Sequence, residues 1–169
     1  LLPVATGIGL AAKSKKEHNV VVSFIGEGTL GEGNVYEAMN LSSLFDCPHL
    51  IVCENNYYSQ STSQTHGVSG TIKKRALAFD FEYFSTNTWN LEELFKTCEK
   101  AINFVREKKS PAFLKIDTYR LMAHSKGDDD RNTSEVREFN KLDLLNKLEN
   151  DQKFKKVFKK ISDEVDEYT

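Results

Sequence analysis

The sequence predicts an α/β protein with a mostly parallel sheet flanked by helices and a C-terminal helical extension. Short apolar runs rich in β-branched residues alternate with stretches whose apolar residues recur at helical spacing. Such alternation is typical of right-handed βαβ units and a parallel sheet. Charge divides the 169-residue chain, because half of the residues from 126 to 169 are charged. We therefore expect a core domain over residues 1–125 and a charged helical extension over 126–169.

The first strand and helix follow from local pattern. Residues 20–25 form an apolar, β-branched run that stops at Gly26, which predicts a strand buried on both faces. Asn34 stands three residues before Glu37, a spacing typical of a capping box at the start of a helix. Apolar residues then continue at helical spacing as far as Pro48. The pattern predicts a strand, a glycine-containing turn and a capped helix.

The rest of the core domain adds strands and helices in alternation. Residues 49–53 predict a second buried strand, and 112–116 predict the last one. A weaker helix is predicted over 72–79, followed by a strand of poor alternation over 81–85. The clearest amphipathic helix begins after Asn90, which has the spacing of an N-cap. Two further helical stretches are predicted in the extension: 142–148 and 154–165.

Composition excludes several classes of function. A net charge of −2 argues against a general nucleic-acid binder. The longest apolar stretches are too short for a membrane-spanning helix, so no membrane role is expected. The three cysteines form no CxxC pair, and no signal peptide is recognised. These features favour a reducing compartment over secretion, and we expect the cytoplasm, with the mitochondrial matrix as an alternative.

The loop after the first strand has the composition of a phosphate site. Its glycines allow the backbone to approach a ligand closely, and the amides of Gly28 and Thr29 can donate to phosphate oxygens. Glu27 would repel a phosphate unless a divalent cation such as Mg²⁺ bridged the two. An ordinary strand-to-helix turn with a solvated glutamate is the alternative, and the short Gly-Glu-Gly motif alone favours it.

A second polar loop follows the second strand at Asn55-Asn56. The residues between Gly28 and Asn55 provide room for one crossover helix and one strand, so the two loops should be neighbours. An asparagine side-chain oxygen and a nearby backbone carbonyl would complete a magnesium shell. An Asn-Asn pair also suits an ordinary turn. The two loops together indicate a metal and phosphate site more specifically than either loop alone.

The two loops resemble the thiamine-diphosphate motif, a Gly-Asp-Gly sequence followed by an Asn-Asn pair. The flanking segments resemble the α subunit, or α half, of the E1 component of 2-oxoacid dehydrogenases of the pyruvate, branched-chain and acetoin types. The matching segments are PVATGIGLAAK, GEGTLGEGNVYEAMNLSSLFDCPHLIVCENNYYSQST and TYRLMAHSKGDD. The resemblance covers roughly residues 1–131 and implies the thiamine-diphosphate-binding fold. It also implies that the core domain lacks the family's N-terminal third.

The resemblance implies a cofactor-binding role for the residues of the first two loops. Glu27, Asn56 through its side chain and Tyr58 through its backbone carbonyl would bind Mg²⁺. Glu27 replaces the family's usual aspartate, a substitution known in the branched-chain type. The diphosphate would be bound by the remaining residues of the first loop: Gly26, Gly28 and Thr29.

A third loop after the last strand completes the implied site. His124 matches the family's loop histidine near the diphosphate and the reacting carbon, and we expect it to be catalytic as well as cofactor-binding. Arg120 belongs to the same motif and is expected to contact the cofactor. Ser125 aligns with a serine that some mitochondrial members phosphorylate. Met122 departs from the pyruvate type, which often has a histidine there.

The implied activity is oxidative decarboxylation of a 2-oxoacid with thiamine diphosphate and Mg²⁺, followed by acyl transfer to the lipoyl domain of an E2 component. The activating glutamate belongs to the E1 β partner, separate or fused, so we expect an oligomer and an inactive isolated chain. Two alternatives stay open. One is a different thiamine-diphosphate enzyme, such as an acyloin-forming one, and the other is a non-catalytic assembly module. Metal-dependent cofactor binding separates the module from both enzymes.

Overall fold

The computed structural model describes residues 1–127 and 129–168, which form two compact units. The first unit runs from Leu1 to Arg120, and the second begins at Leu121. The elements of the first unit are α1 (Leu2–Ser14), β1 (Val21–Gly26), a 3₁₀ turn (Glu27–Gly31), α2 (Gly33–Leu44), β2 (His49–Asn55), β3 (Tyr58–Ser59), β4 (Thr62–Ser63), α3 (Gln64–Gly67), α4 (Ile72–Leu77), β5 (Glu82–Asn87), α5 (Leu91–Lys108) and β6 (Ala112–Asp117). The second unit contains α6 (Thr133–Asn140), α7 (Leu144–Asn150) and α8 (Lys155–Asp166).

A parallel sheet forms the centre of the first unit. Its strand order is β1-β2-β6-β5, and all three neighbouring pairs are parallel. Helices α1, α2 and α4 contribute to the apolar cluster that includes Ile51 and Phe113, whereas α5 packs with Leu50 and Leu114 in a second cluster. Alternate residues of β2 and β6 thus enter different clusters. The predicted parallel sheet flanked by helices is confirmed.

Most predicted strands and helices are present, with shifted ends. Strand β2 extends two residues beyond its apolar run, and α5 begins where Asn90 predicts it. The side chain of Asn90 accepts a hydrogen bond from the backbone N–H of Glu93, so this N-cap is confirmed. Both helical stretches expected after residue 140 are present as α7 and α8. The elements that were not predicted are α1, α3, α6 and the β3–β4 hairpin. No helix among the described residues is long and apolar enough to cross a bilayer.

Two local predictions are wrong. Strand β1 is not buried on both faces, because Val22 and Phe24 are 41% and 58% exposed. Within the described residues β1 pairs only with β2, and no described element covers that face. The predicted cap of α2 is also wrong, since α2 begins at Gly33 after Glu32, which makes no side-chain cap bond. Asn34 therefore lies inside the first turn of the helix.

A buried polar network joins α1, α2, β1 and β2 at the start of β2. His49 is fully buried, and its Nε2 lies 2.7 Å from Ser23 Oγ. Its Nδ1 lies 3.0 Å from Ser42 Oγ, and Ser42 Oγ lies 2.9 Å from Thr6 Oγ1. Burial lowers the pKa of His49 from its ordinary 6.5 to about 4. The imidazole is therefore neutral in the folded protein at neutral pH.

Candidate functional site

The carboxyl ends of β1 and β2 bring the first two polar loops together. Glu27 follows β1 directly and is 2% exposed. Its Oε2 accepts a hydrogen bond from the backbone N–H of Asn56, with an N···O distance of 3.3 Å. The two strands are adjacent and parallel, with Gly26 opposite Glu54. Their shared edge is where ligands bind in open parallel sheets.

The carboxylate of Glu27 is incompletely paired. Among the described residues, its Oε1 is buried and has no hydrogen-bond partner. Burial raises the pKa of Glu27, while backbone N–H groups and the positive charge of Arg120 act in the opposite direction. A buried carboxylate oxygen without a partner is unfavourable unless a cation satisfies it. The position therefore fits a divalent cation bound to Glu27.

The turn after β2, whose Asn56 N–H bonds to Glu27, contains two further oxygens of the kind that bind metals: Asn56 Oδ1 and the Tyr58 carbonyl. Asn56 Oδ1 accepts a hydrogen bond of 3.0 Å from the backbone N–H of Tyr58, and the chain reverses at Tyr57, whose φ is +68°. A carboxylate, an amide oxygen and a backbone carbonyl are hard ligands of the kind that Mg²⁺ prefers. The described residues contain no group of three or more His, Cys, Asp or Glu side chains suited to a metal. A magnesium site here would combine the Glu27 carboxylate with amide and carbonyl oxygens.

The β3–β4 hairpin packs against the first loop. A Cβ atom on Gly28 would lie 2.5 Å from Ser59 Oγ, closer than real Cβ contacts allow, so only glycine fits beside the hairpin. Arg120 Nη2 donates a 2.7 Å hydrogen bond to the carbonyl of Gln60 in the same hairpin. This contact, together with the effect of its charge on Glu27, places Arg120 on the same side of the sheet edge.

The third predicted loop begins a different unit. His124 belongs to the second unit, and its side chain is exposed, as are those of Met122 and Ser125. The contact expected between His124 and the diphosphate therefore stays a prediction. The structure brings together Glu27, Asn56, Tyr58, Gly28 and Arg120 in the first unit. Gly26 and Thr29 flank Glu27 and Gly28 in the same segment of chain.

Comparison with known protein families shows the family to which the chain belongs. A family model described as the dehydrogenase E1 component matches residues 2–166. The chain belongs to this family. Its structure is similar to that of transketolase from Campylobacter jejuni, with a TM-score of 0.60 at 24% sequence identity. That superposition covers 69% of this chain and 19% of the transketolase, and it supports the thiamine-diphosphate-binding fold.

Members of the E1 family with similar sequences are α subunits. The chain is 31% identical over 147 residues to the pyruvate dehydrogenase E1 component subunit alpha of Rickettsia conorii, covering 85% of this chain and 45% of the relative. It is 28% identical over 183 residues to the mitochondrial pyruvate dehydrogenase E1 component subunit alpha-1 of Arabidopsis thaliana, covering 98% of this chain and 46% of the relative. The chain thus spans somewhat less than half the length of these curated relatives.

Some residues around this candidate site were not singled out from the sequence. Ser59 contacts Gly28, and Asp117 accepts a 2.7 Å hydrogen bond from Asn55 Nδ2. Asp117 ends β6 at the edge where open parallel sheets generally bind ligands, and this position could have indicated a role. No sequence signal pointed to Ser59, because its importance comes from the hairpin that the sequence did not predict.

Proposed function

We propose that this chain is the diphosphate- and Mg²⁺-binding part of a 2-oxoacid dehydrogenase E1 α subunit. In this proposal the complete enzyme is an oxidoreductase that decarboxylates a 2-oxoacid oxidatively and transfers the acyl group to a lipoyl group. The observation that carries the proposal is the buried, unpartnered oxygen of Glu27 beside the Asn56 turn in a chain of the E1 family. That arrangement fits a cation bound between two protein loops.

The proposed roles divide between metal and diphosphate. Glu27, Asn56 and the Tyr58 carbonyl would bind Mg²⁺, because they supply a carboxylate, an amide and a backbone carbonyl oxygen at one sheet edge. The glycine-rich segment around Glu27, namely Gly26, Gly28 and Thr29, would bind the diphosphate through its backbone. Arg120 would add positive charge near the anionic group. The Mg²⁺ would remove the repulsion between Glu27 and the phosphate oxygens.

The chemistry assigned to this chain is binding, orientation and proton transfer. Thiamine diphosphate, when bound, supplies the electron sink that decarboxylation of a 2-oxoacid requires. The residues of the first unit would fix its diphosphate end. His124 is the proposed catalytic residue, and its imidazole would donate or accept a proton during the reaction.

The proposed partners are those that the resemblance to the E1 α subunit implies. An E1 β subunit, or a fused β half, would complete the site, and the lipoyl domain of an E2 component would accept the acyl group from the 2-oxoacid substrate. The assembly would be an oligomer, and the isolated chain would have no turnover. Rickettsial relatives favour a cytoplasmic enzyme, and the mitochondrial plant relative keeps the mitochondrial matrix as the alternative.

Cofactor titration tests the metal assignment. Glu27→Gln in the chain assembled with its β partner should weaken thiamine-diphosphate binding in Mg²⁺ by about 100-fold or more, since even indirect metal contacts are worth roughly 10–100-fold. Glu27→Asp should be milder, because it keeps a carboxylate. Glu54→Gln is the matched control, since Glu54 lies opposite Gly26 on β2 with an exposed side chain.

Calorimetry with and without Mg²⁺ provides the measurement. When Mg²⁺ is chelated, wild type should bind as poorly as Glu27→Gln, because the metal contact is then absent from both. Equal affinity of wild type and Glu27→Gln in Mg²⁺ would show that Glu27 is not a ligand. Cofactor binding that does not depend on Mg²⁺ at all would contradict the proposed site, and absence of cofactor binding would favour an assembly module.

A further inference from the structure

The carboxylate of Asp117 bonds to residues on both sides of Asn56. Its Oδ1 accepts a 2.7 Å hydrogen bond from the side-chain amide of Asn55, and the hydroxyl of Tyr57 is hydrogen-bonded to the same carboxylate. Its Oδ2 lies 2.7 Å from Lys115 Nζ. Because Asn55 and Tyr57 flank Asn56 in the chain, one carboxylate restrains the backbone before and after the proposed metal ligand.

The backbone at Tyr57 needs such restraint. Its φ of +68° lies in the left-handed region, which is unfavourable for a residue with a Cβ and persists only when its surroundings fix it. Backbone hydrogen bonds at both ends of this turn also hold it, besides the contacts of Asp117. The Tyr57 carbonyl accepts a 2.8 Å hydrogen bond from Gln64 N–H, and the Asn55 carbonyl accepts one of 2.9 Å from Thr118 N–H. The Asp117 carboxylate is the group that engages the side chains of both Asn55 and Tyr57.

The charge of Asp117 is compensated locally. Its side chain is 18% exposed, and that of its ion-pair partner Lys115 is 20% exposed. Three donors already use the carboxylate: the Asn55 amide, the Tyr57 hydroxyl and the Lys115 ammonium. Because these three donors already occupy the Asp117 carboxylate, it would influence the metal site by holding the turn rather than by binding the metal itself.

The geometry points to Asp117 as a positioning residue, which fixes the Asn55–Tyr58 turn so that Asn56 and Tyr58 lie beside Glu27. The inference rests on the proposed function, since the metal is the ligand whose binding the turn would affect. Removing one bond of the carboxylate leaves β6 and its neighbours paired, so the fold should persist. The free turn, however, can leave the conformation in which its oxygens are available to a metal. Groups that orient metal ligands typically contribute 10–100-fold to metal affinity.

The test uses two variants of different severity and one control. Tyr57→Phe removes only the hydroxyl, and Asp117→Asn keeps the shape but removes the charge and one acceptor. Thr88→Ala is the matched control, because Thr88 Oγ1 donates to Thr118 at the same sheet edge without bonding the turn. Each variant is assembled with the β partner. Mn²⁺ serves as the probe in the presence of thiamine diphosphate, and electron paramagnetic resonance measures its affinity and the line shape of the bound ion.

We expect Tyr57→Phe to weaken Mn²⁺ binding about tenfold and Asp117→Asn at least as much, each with an altered line shape. The melting temperatures of the metal-free proteins should stay within about 4 °C of wild type. Thr88→Ala should match wild type in affinity and line shape. If Asp117→Asn does not fold, Tyr57→Phe decides the question alone.

Three results would overturn the inference. Unchanged Mn²⁺ affinity and line shape in Tyr57→Phe, with wild type binding normally, would remove the role of Asp117 and leave the proposed function intact. Failure of wild type to bind Mn²⁺ with the cofactor would overturn both. An equal loss of affinity in Thr88→Ala would attribute the effect to general loosening of the sheet edge, and would also overturn the positioning role.

Discussion

Acidification should destabilise the first unit through His49. The imidazole is buried among hydroxyls, with Ser23 Oγ and Ser42 Oγ at 2.7 and 3.0 Å, and its burial lowers its pKa to about 4. In the unfolded chain the pKa of a histidine is near 6.5. Between these values the unfolded state binds a proton that the folded state does not. The contribution of His49 to stability is therefore complete above pH 6.5 and is lost as the pH falls toward 4.

The magnitude follows from the two pKa values of His49. The full difference, from 6.5 to about 4, corresponds to about 3 kcal/mol of unfolding free energy. Between pH 8 and pH 5 the loss attributable to His49 is about 2 kcal/mol, since at pH 5 the folded imidazole is still mostly neutral. The raised pKa of Glu27 has the opposite effect, because a protonated buried carboxyl stabilises the folded state at low pH.

Urea unfolding of wild type and His49→Gln at pH 8 and pH 5 isolates this contribution. Glu27 and the other carboxyl groups are common to both proteins, so their contributions cancel in the difference. The wild-type unfolding free energy should fall by about 2 kcal/mol more than that of the variant. His18→Gln, at an exposed histidine, should keep the wild-type pH dependence. Equal pH dependence in wild type and His49→Gln would refute the reasoning.

Two further predictions concern local contacts. Gly28→Ala should weaken magnesium-dependent cofactor binding, because the new Cβ collides with Ser59 Oγ. Adding Ser59→Gly to the same chain should restore binding. Calorimetry on both variants measures this, and a double variant that binds no better than Gly28→Ala would contradict the prediction. Asn90→Ala should lower the unfolding free energy by about 1 kcal/mol through loss of the α5 cap, whereas Asn90→Asp should keep it. Urea unfolding measures the unfolding free energy of both Asn90 variants. If Asn90→Ala is as stable as wild type, the role of the cap is contradicted.

The sequence was most informative where structure is local. The strand at 49–53 and the Asn90 cap depend on residues that are close in sequence, and both are present as predicted. The pairing of Glu27 with Asn56 was also accessible, because parallel neighbouring strands must end at one edge. Local pattern failed at Asn34, where a cap-like spacing occurs one residue inside a helix that Gly33 begins.

Contacts between distant segments could not be inferred in this way. Asp117 meets Asn55 across 62 positions of sequence, and neither residue type specifies the other. Ser59 packs on Gly28 only because a hairpin folds back over the first loop. Phe24 lies in an apolar run that would look the same whether one face or both faces were covered. Such contacts depend on tertiary packing rather than on periodicity.

The open side of β1 has a practical consequence for anyone preparing the protein. Among the described residues this strand pairs on one side only, and Phe24 and Val22 present apolar surface on its uncovered face. Unpaired strand edges with apolar flanks accept strands from other molecules and thereby seed aggregates. Co-expression with the proposed β partner is therefore preferable to refolding the separated chain.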